Sequence, residues 1–167
     1  MVSRDEKKLK RQPAKVSRKA MVAAKSPLTT KAVGAAGAAP EGIDDKPFAW
    51  SATSIDHQYA GSWDWDLQPS ETADVLVMLE HTSQLTWREV KSLQTHSKRK
   101  TRRLNHSQGI ETVCVEAQER LVELQLDLDE IFRLRHGNLT RIWGYLQGPV
   151  LKLLWFDRQH LVYPVAD

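Results

Sequence analysis

Basic and aromatic side chains alternate near the C-terminal end of the sequence. A β-strand over residues 139–146 would place four side chains on one face, namely Leu139, Arg141, Trp143 and Tyr145. In the preceding stretch, Arg133 and Arg135 would also share a face. Guanidiniums beside aromatic rings are suited to pairing with phosphate and stacking on the bases of single-stranded RNA. The alternative is a half-solvated sheet whose Arg stems extend along neighbouring residues.

Two groups able to handle a proton follow this stretch. His160 and Tyr163 lie in the sequence DRQHLVY, which begins at Asp157. Histidine exchanges protons near neutral pH, and tyrosine can donate a hydrogen bond to a developing charge. Taken alone, a histidine in a turn is more often simply solvated.

The sequence IFRLRHGNLTRIWGYLQGPVLKLLWFDRQHLVYPV resembles the C-terminal half of toxins of the RelE/ParE superfamily, which includes the YoeB-like ribosome-dependent mRNA endonucleases. Members carry a hydrophobic-Arg-Leu-Arg strand, a glycine turn, a second strand that begins with Arg, an apolar strand and a basic-hydrophobic-Val-Tyr terminus. The corresponding segments here are Phe132 to Arg135, Gly137, Arg141 to Tyr145, Val150 to Phe156 and His160 to Tyr163. The resemblance is confined to about thirty-five residues, 131–165.

This resemblance implies a role for each matching residue. Arg141 would hold the scissile phosphate, with Arg133 and Arg135 in support, and His160 would be the general acid or base. Tyr163 would orient the substrate or stack on it. Such enzymes direct a 2′-hydroxyl onto its own phosphodiester, which requires positioning, proton transfer and charge stabilisation but no metal ion. A helical antitoxin is the partner that a toxin implies.

Other features of the chain differ from these toxins. The region after the basic tail is longer and more acidic than is usual for them, and its Trp-rich segment, Tyr59 to Trp65, has no counterpart. The pattern of the whole chain is similar to uncharacterised bacterial proteins. A noncatalytic module of the same fold, which binds a protein or nucleic acid, is therefore the alternative function. Glu130 is a weaker candidate base, by its proximity to the arginine-bearing strand.

The charge is divided between two parts of the chain. The first forty of its 167 residues contain ten Lys or Arg and two acidic residues, whereas residues 41–167 contain fourteen basic and nineteen acidic residues. Residues 1–46 lack aromatic side chains, which predicts a disordered tail that binds polyanions nonspecifically. Residues 47–167 are predicted to form one domain, a size consistent with a single core.

A second basic segment lies within the predicted domain. Five cations fall in six residues: Lys98, Arg99, Lys100, Arg102 and Arg103. A loop of this composition could bind RNA phosphates, because each contact releases counterions. A solubilising surface loop is an equally weighted alternative.

Several classes of protein receive no support from the sequence. The single cysteine, Cys114, excludes an internal disulfide, and metal-ligand or nucleotide-binding motifs are missing, so we expect no metal or other cofactor. No apolar stretch reaches the length of a membrane span, which favours a cytoplasmic protein without membrane contacts. An organelle transit peptide is an alternative interpretation of the first forty residues.

Hydrophobic periodicity and turn residues predict the elements that would position these side chains. We expect a short strand at Phe48–Trp50 and an aromatic-rich hairpin or loop at Asp56–Leu67, more consistent with a buried core flap than with a ligand platform. A helix over residues 71–81 would bury Ala73, Leu76, Val77 and Leu79. The capping box Thr86 to Glu89 predicts a second helix over residues 87–93.

The second half of the chain is predicted to change from helix to strand. A loop over residues 95–109 precedes a third helix over residues 115–126. Strands follow over residues 130–135, 139–146, 150–156 and 161–163. The predicted fold class is therefore α+β: an N-terminal strand, two to three helices packed on one face, and an antiparallel meander of three to four strands. The resemblance implies that this meander is RelE-like.

Overall fold

The computed structural model describes residues 42–96 and 101–164. In this part of the chain the fold is α+β, as predicted, with a mixed five-stranded sheet and a separate two-stranded sheet. The elements in chain order are β1 (Ala49–Ser51), α1 (Pro69–Ser83), α2 (Trp87–Ser92), β2 (Gln94–His96), β3 (Thr101–Arg103), β4 (His106–Gly109), a 3-10 turn (Ile110–Thr112), α3 (Val115–Glu123), β5 (Glu130–Arg135), β6 (Arg141–Gln147) and β7 (Val150–Asp157).

The larger sheet has the strand order β1-β7-β6-β5-β4. Strands β5 to β7 form an antiparallel meander, as predicted. β4 pairs with β5 in antiparallel orientation at one edge of the sheet, and β1 pairs with β7 in parallel at the other. The predicted strand at residues 161–163 is wrong. The amides of Leu161 and Val162 donate to the Asp157 carboxylate, so this segment turns back over the end of β7 and does not extend the sheet.

The predicted loop over residues 95–109 is also wrong. β2 pairs with β3 as an antiparallel two-stranded sheet, and β4 pairs with β5 at the edge of the larger sheet. These strands are polar and lack the apolar alternation that identifies a half-buried strand. These strands are held by backbone hydrogen bonds, which any sequence can form. A strand at the edge of a sheet also does not need an apolar face.

The first hydrophobic core lies between the sheet and helices α1 and α2. The buried residues of α1 are Val75 and Leu79, one turn apart. The predicted stripe is therefore only partly correct, because Leu76 and Val77 are each 51% exposed and Ala73 is exposed as well. The helix contacts the sheet through a narrow strip, which is rotated relative to the strip that spacing alone favours.

Helix α2 begins at the predicted capping box. The Thr86 amide donates to the Glu89 carboxylate at 2.7 Å, and the Glu89 amide donates to the Thr86 hydroxyl at 3.3 Å. These bonds satisfy amides that have no partner within the helix. They also fix Trp87, which is fully buried and packs between the rings of Phe48 and Phe132.

The second core lies on the opposite face of the sheet, so the prediction that all helices cover one face is wrong. Ala117 and Leu121 of α3 are buried in the same cluster as Trp143 and Trp155. The register shifts at Trp143/Gly144, and β7 gains an unpaired residue there. This bulge directs Leu154 and Trp155 into one core, which makes both faces of the central strands apolar.

The Trp-rich segment closes the second core, as the core-flap interpretation predicts. Trp63 is 1% exposed and stacks on Tyr59, with ring centroids 3.5 Å apart. The buried Asp56 carboxylate accepts two hydrogen bonds of 2.7 Å from Arg120 and one of 3.2 Å from the Trp155 indole. The segment is thus fixed by packing and by a paired buried charge.

The described region begins before the predicted domain boundary at residue 47. Ile43 is 6% exposed and belongs to the first core, and Asp44 pairs with Lys91 at 2.8 Å. Residues 1–41 of the predicted tail lie outside the described residues. None of the described helices is long and apolar enough to cross a membrane.

Candidate functional site

Strand register brings three arginines onto one face of the sheet. Arg135 is the cross-strand partner of Arg141, and Arg133 is the partner of Trp143, so all three side chains point toward the second core. We call Arg133, Arg135 and Arg141 the arginine cluster. The sequence predicts that the aromatic rings of β6 form an exposed stacking surface beside this cluster. This prediction is wrong, because Trp143 is fully buried and Tyr145 is 8% exposed.

Turn carbonyls fix two members of the arginine cluster. Arg141 Nη1 donates to the carbonyl oxygens of Asn138 and Thr140, at 3.1 and 2.8 Å. Arg135 Nε donates to the Gly137 carbonyl at 2.8 Å. Both arginines therefore brace the β5–β6 turn, which leaves a large part of each guanidinium's donor capacity for another acceptor.

The arginine cluster lacks carboxylate partners. Arg88, Arg120 and Arg158 each form an ion pair, whereas within the described residues no member of the cluster does. Arg141 is only 7% exposed, and the buried Nε atoms of Arg133 and Arg141 have no hydrogen-bond partner in the described part of the chain. The charge of the buried Asp157 carboxylate acts on Arg141, but the two side chains form no ion pair. A buried cation without an ion-pair partner is costly, so the site favours the binding of an anion.

Burial and mutual repulsion destabilise the charged state of these arginines. Burial, followed by the charges of Arg133 and Arg135, lowers the pKa of Arg141 to about 10, although the charge of Asp157 acts to raise it. Burial is also the main cause of the lowered pKa of Arg133. Both side chains are still cations at neutral pH, so a bound anion would relieve the repulsion between them.

His160 contacts the arginine cluster directly. Arg133 Nη1 donates to His160 Nε2 at 2.8 Å. Since a guanidinium only donates, Nε2 must carry the lone pair, and the proton of the neutral ring is on Nδ1. Burial, then the charges of Arg141 and Arg133, lowers the pKa of His160 to about 4. At neutral pH the ring is therefore a proton acceptor.

The backbone at His160 adopts a left-handed conformation, with φ of +62°. Histidine tolerates this region better than most residues, at a cost of roughly 1 kcal/mol or more. The fully buried carboxylate of Asp157 holds the segment in place by accepting from the amides of Gln159, Leu161 and Val162. Asp157 also accepts from the Trp143 indole at 3.2 Å. It is the cross-strand partner of Arg141.

Tyr163 completes the group of residues that the resemblance implies. Its ring meets the His160 ring edge to face, with centroids 6.1 Å apart and planes at 72°. The side chain is partly buried against the second core, so part of the ring remains accessible. The structure therefore places Arg133, Arg135, Arg141, His160 and Tyr163 in one neighbourhood.

The other predicted residues are less close. Arg102 and Arg103 are exposed on β3, and their charges act on Arg133 and His106 respectively, so they border the site. Lys98, Arg99 and Lys100 lie outside the described residues. Glu130 alternates onto the opposite face of β5 and accepts from the Ser107 hydroxyl at 2.8 Å, so it is not positioned as a base for this site.

Sequence reasoning assigned no function to two residues of this neighbourhood. Asp157 could be suspected from turn chemistry, because aspartate side chains often accept from amides a few residues later. His106, the cross-strand partner of Arg133, stands in a segment predicted to be a loop, so no face could be assigned to it. Only the strand register shows that it borders the cluster.

Inorganic phosphate should stabilise the folded chain through the arginine cluster. A ligand that binds only the folded state at one hundred times its dissociation constant adds about 2.7 kcal/mol to the free energy of unfolding. Arg133→Met should lose most of that gain, whereas Arg88→Met, which removes an exposed ion-paired arginine, should retain it. Melting temperatures at matched ionic strength, with chloride as the reference salt, test this. An equal phosphate response in Arg133→Met and the unaltered chain would contradict it.

Comparison with known proteins gives no match to a family model, to a curated protein or to a solved structure. Within residues 42–96 and 101–164, no group of three or more His, Cys, Asp or Glu side chains is arranged to hold a metal ion.

Proposed function

We propose that this chain is a RelE-like, metal-independent endoribonuclease that cleaves RNA through attack by a 2′-hydroxyl. The observation that carries the proposal is the contact between a partly buried arginine that forms no ion pair and a neutral histidine: Arg133 Nη1 lies 2.8 Å from His160 Nε2, with Arg141 beside them. Such a site combines a cation for the phosphate with a proton acceptor for the attacking hydroxyl.

Binding of a phosphodiester would change the role of Arg133. A phosphate oxygen is a stronger acceptor for the Arg133 guanidinium than an imidazole nitrogen, since the hydrogen bond is charge-assisted on both sides. If the Arg133 guanidinium donates its hydrogen bond to the phosphate and no longer to His160, the lone pair on His160 Nε2 becomes free. His160 could then accept the 2′-hydroxyl proton while Arg141 stabilises the charge that develops on the phosphorus oxygens.

Single-stranded RNA is the substrate class that this surface favours. Bases of a single strand can stack on an aromatic side chain such as Tyr163, and exposed cations such as Arg102 and Arg103 can follow its backbone. The resemblance adds mRNA on the ribosome as a substrate, an antitoxin as a partner and the cytoplasm as the location. These are parts of the proposal.

Product analysis with the full chain tests this function. We expect a short single-stranded RNA, supplied free and as message on bacterial ribosomes, to be cut into fragments with 2′,3′-cyclic phosphate and 5′-hydroxyl ends. DNA of the same sequence should remain intact because it lacks the attacking group, and EDTA should not slow the reaction. The double variant Arg141→Ala/His160→Ala should bind RNA through its basic tail and not cleave it.

Two results would contradict the ribonuclease. Cleavage that persists in a folded Arg141→Ala/His160→Ala variant would come from a contaminant or another site. RNA binding without cleavage in either format would instead favour the noncatalytic module.

A further inference from the structure

His106 stands next to the arginine cluster on the edge strand of the sheet. It is the first residue of β4 and the cross-strand partner of Arg133. Cross-strand partners point to the same face, with their Cβ atoms about 5 Å apart. Arg133 therefore has one histidine as its strand neighbour and a second, His160, at its guanidinium. Both histidines are partly buried residues, so neither is closed off completely from solvent.

The hydrogen bond of His106 identifies the nitrogen that can exchange a proton. Its Nδ1 lies 2.9 Å from the backbone carbonyl oxygen of Ser107. A carbonyl only accepts, so Nδ1 carries a hydrogen in both the neutral and the protonated ring. Nε2 is then the atom that gains or loses a proton. No tautomer change or ring rotation is needed for this.

The two histidines differ in what their hydrogen bonds favour. Burial lowers the pKa of His106 below its usual value, and the charges of Arg133, Arg103 and Arg141 act in the same direction, whereas the Ser107 carbonyl stabilises the protonated ring and opposes this shift. At His160 the contact is reversed, because Arg133 donates to Nε2 and so opposes protonation there. A phosphodiester in the cluster would offset the arginine charges and allow His106 to hold a proton.

We propose that His106 is the proton donor for the leaving group, an assignment that rests on the proposed ribonuclease function. His160 Nε2 takes the proton of the 2′-hydroxyl as the bond between the 2′-oxygen and phosphorus forms. The bond between phosphorus and the 5′-oxygen breaks, and His106 Nε2 gives its proton to that oxygen. The products are a 2′,3′-cyclic phosphate and a 5′-hydroxyl. The proton gained by His160 returns to His106 through solvent before the next turnover.

A substrate with a sulfur leaving group separates proton donation from other roles. In RNA with one 5′-bridging phosphorothiolate, the departing thiolate needs no protonation. We expect His106→Ala to slow cleavage of ordinary RNA by about a hundredfold or more. The same variant should cleave the sulfur-containing linkage at a rate within a few-fold of that of the unaltered chain. His160→Ala should be slow on both substrates. His57→Ala, which changes an exposed histidine just before the Trp-rich segment, should cleave both substrates at the normal rate.

The full chain is the protein used, with RNA supplied free and on ribosomes, and thermal melting confirms that each variant is folded. His106→Gln keeps a polar side chain on the edge strand, and it replaces His106→Ala if alanine unfolds the chain. Normal cleavage of ordinary RNA by a His106 variant would overturn the assignment, as would equal impairment on both substrates. If the unaltered chain cleaves neither RNA, the ribonuclease itself fails and the assignment falls with it.

Discussion

Replacing Arg141 with alanine should slow RNA cleavage by about a thousandfold, measured as a single-turnover rate with enzyme in excess. This is the size of effect seen when a preorganised donor to a developing oxyanion is removed from a water-poor site. Arg141 is 7% exposed and has an unpartnered Nε, so its charge acts on a bound phosphate with little screening by solvent. Arg141→Lys should be intermediate, because a lysine supplies charge without the planar fork of donors.

The stability of the variant separates this role from a structural one. Arg141→Ala loses hydrogen bonds to the carbonyls of Asn138 and Thr140, each worth about 1 kcal/mol, but it also removes a buried cation repelled by Arg133 and Arg135. These effects oppose each other, so the melting temperature should change little. Arg88→Ala, at an exposed ion pair, should keep the normal rate. A rate loss in Arg141→Ala that only follows the fraction unfolded would contradict the prediction.

The sequence predicts correctly those elements that depend on interactions between residues close together in the chain. The capping box before Trp87 defines a helix start through two hydrogen bonds within four residues. The two-residue period of the β5 and β6 sequences, the apolar run of β7 and the intervening glycines at 137 and 148, both with positive φ, predict the meander. In each case, all the interacting groups lie within a few residues of one another in the chain.

Nonlocal pairing explains what the sequence failed to predict. β1 pairs with β7, about a hundred residues away, and β2 to β4 are held by backbone pairing without an apolar pattern. The bulge at Trp143/Gly144 supplies the second apolar face, against which α3 packs. A bulge depends on the register of two strands, so it leaves no periodic signal in either strand alone.

In the candidate site too, the features that depend on local sequence could be predicted, and those that depend on distant residues could not. The residues around Arg141 and His160 were identified from residue type, alternation and resemblance. The lack of an ion-pair partner for the arginine cluster depends on which distant side chains surround it, as does the proximity of His106 to Arg133. The net charge of the region is misleading for the same reason: residues 41–167 contain an excess of acidic residues, yet none of the described ones forms an ion pair with the arginine cluster.

Asp157→Asn should lower the free energy of unfolding by about 3 kcal/mol, measured by chemical denaturation. The fully buried carboxylate accepts from three backbone amides and the Trp143 indole, and it uses both oxygens. An asparagine has a single acceptor oxygen, so its NH2 group would face donors and leave some of them unsatisfied, at a cost of about 1–3 kcal/mol each. Asp64→Asn, at a partly exposed ion pair with Arg158, should cost less than about 1 kcal/mol.

Loss of Asp157 should also affect cleavage where the variant is still folded. The left-handed backbone at His160 is retained because the amides on either side of it are held by one carboxylate. Released from Asp157, the segment can relax to a conformation that no longer holds His160 Nε2 against Arg133. Well below its melting temperature, Asp157→Asn should therefore cleave at least tenfold more slowly than Asp64→Asn. If Asp157→Asn were as stable and as active as the unaltered chain, Asp157 would not be the residue that positions His160.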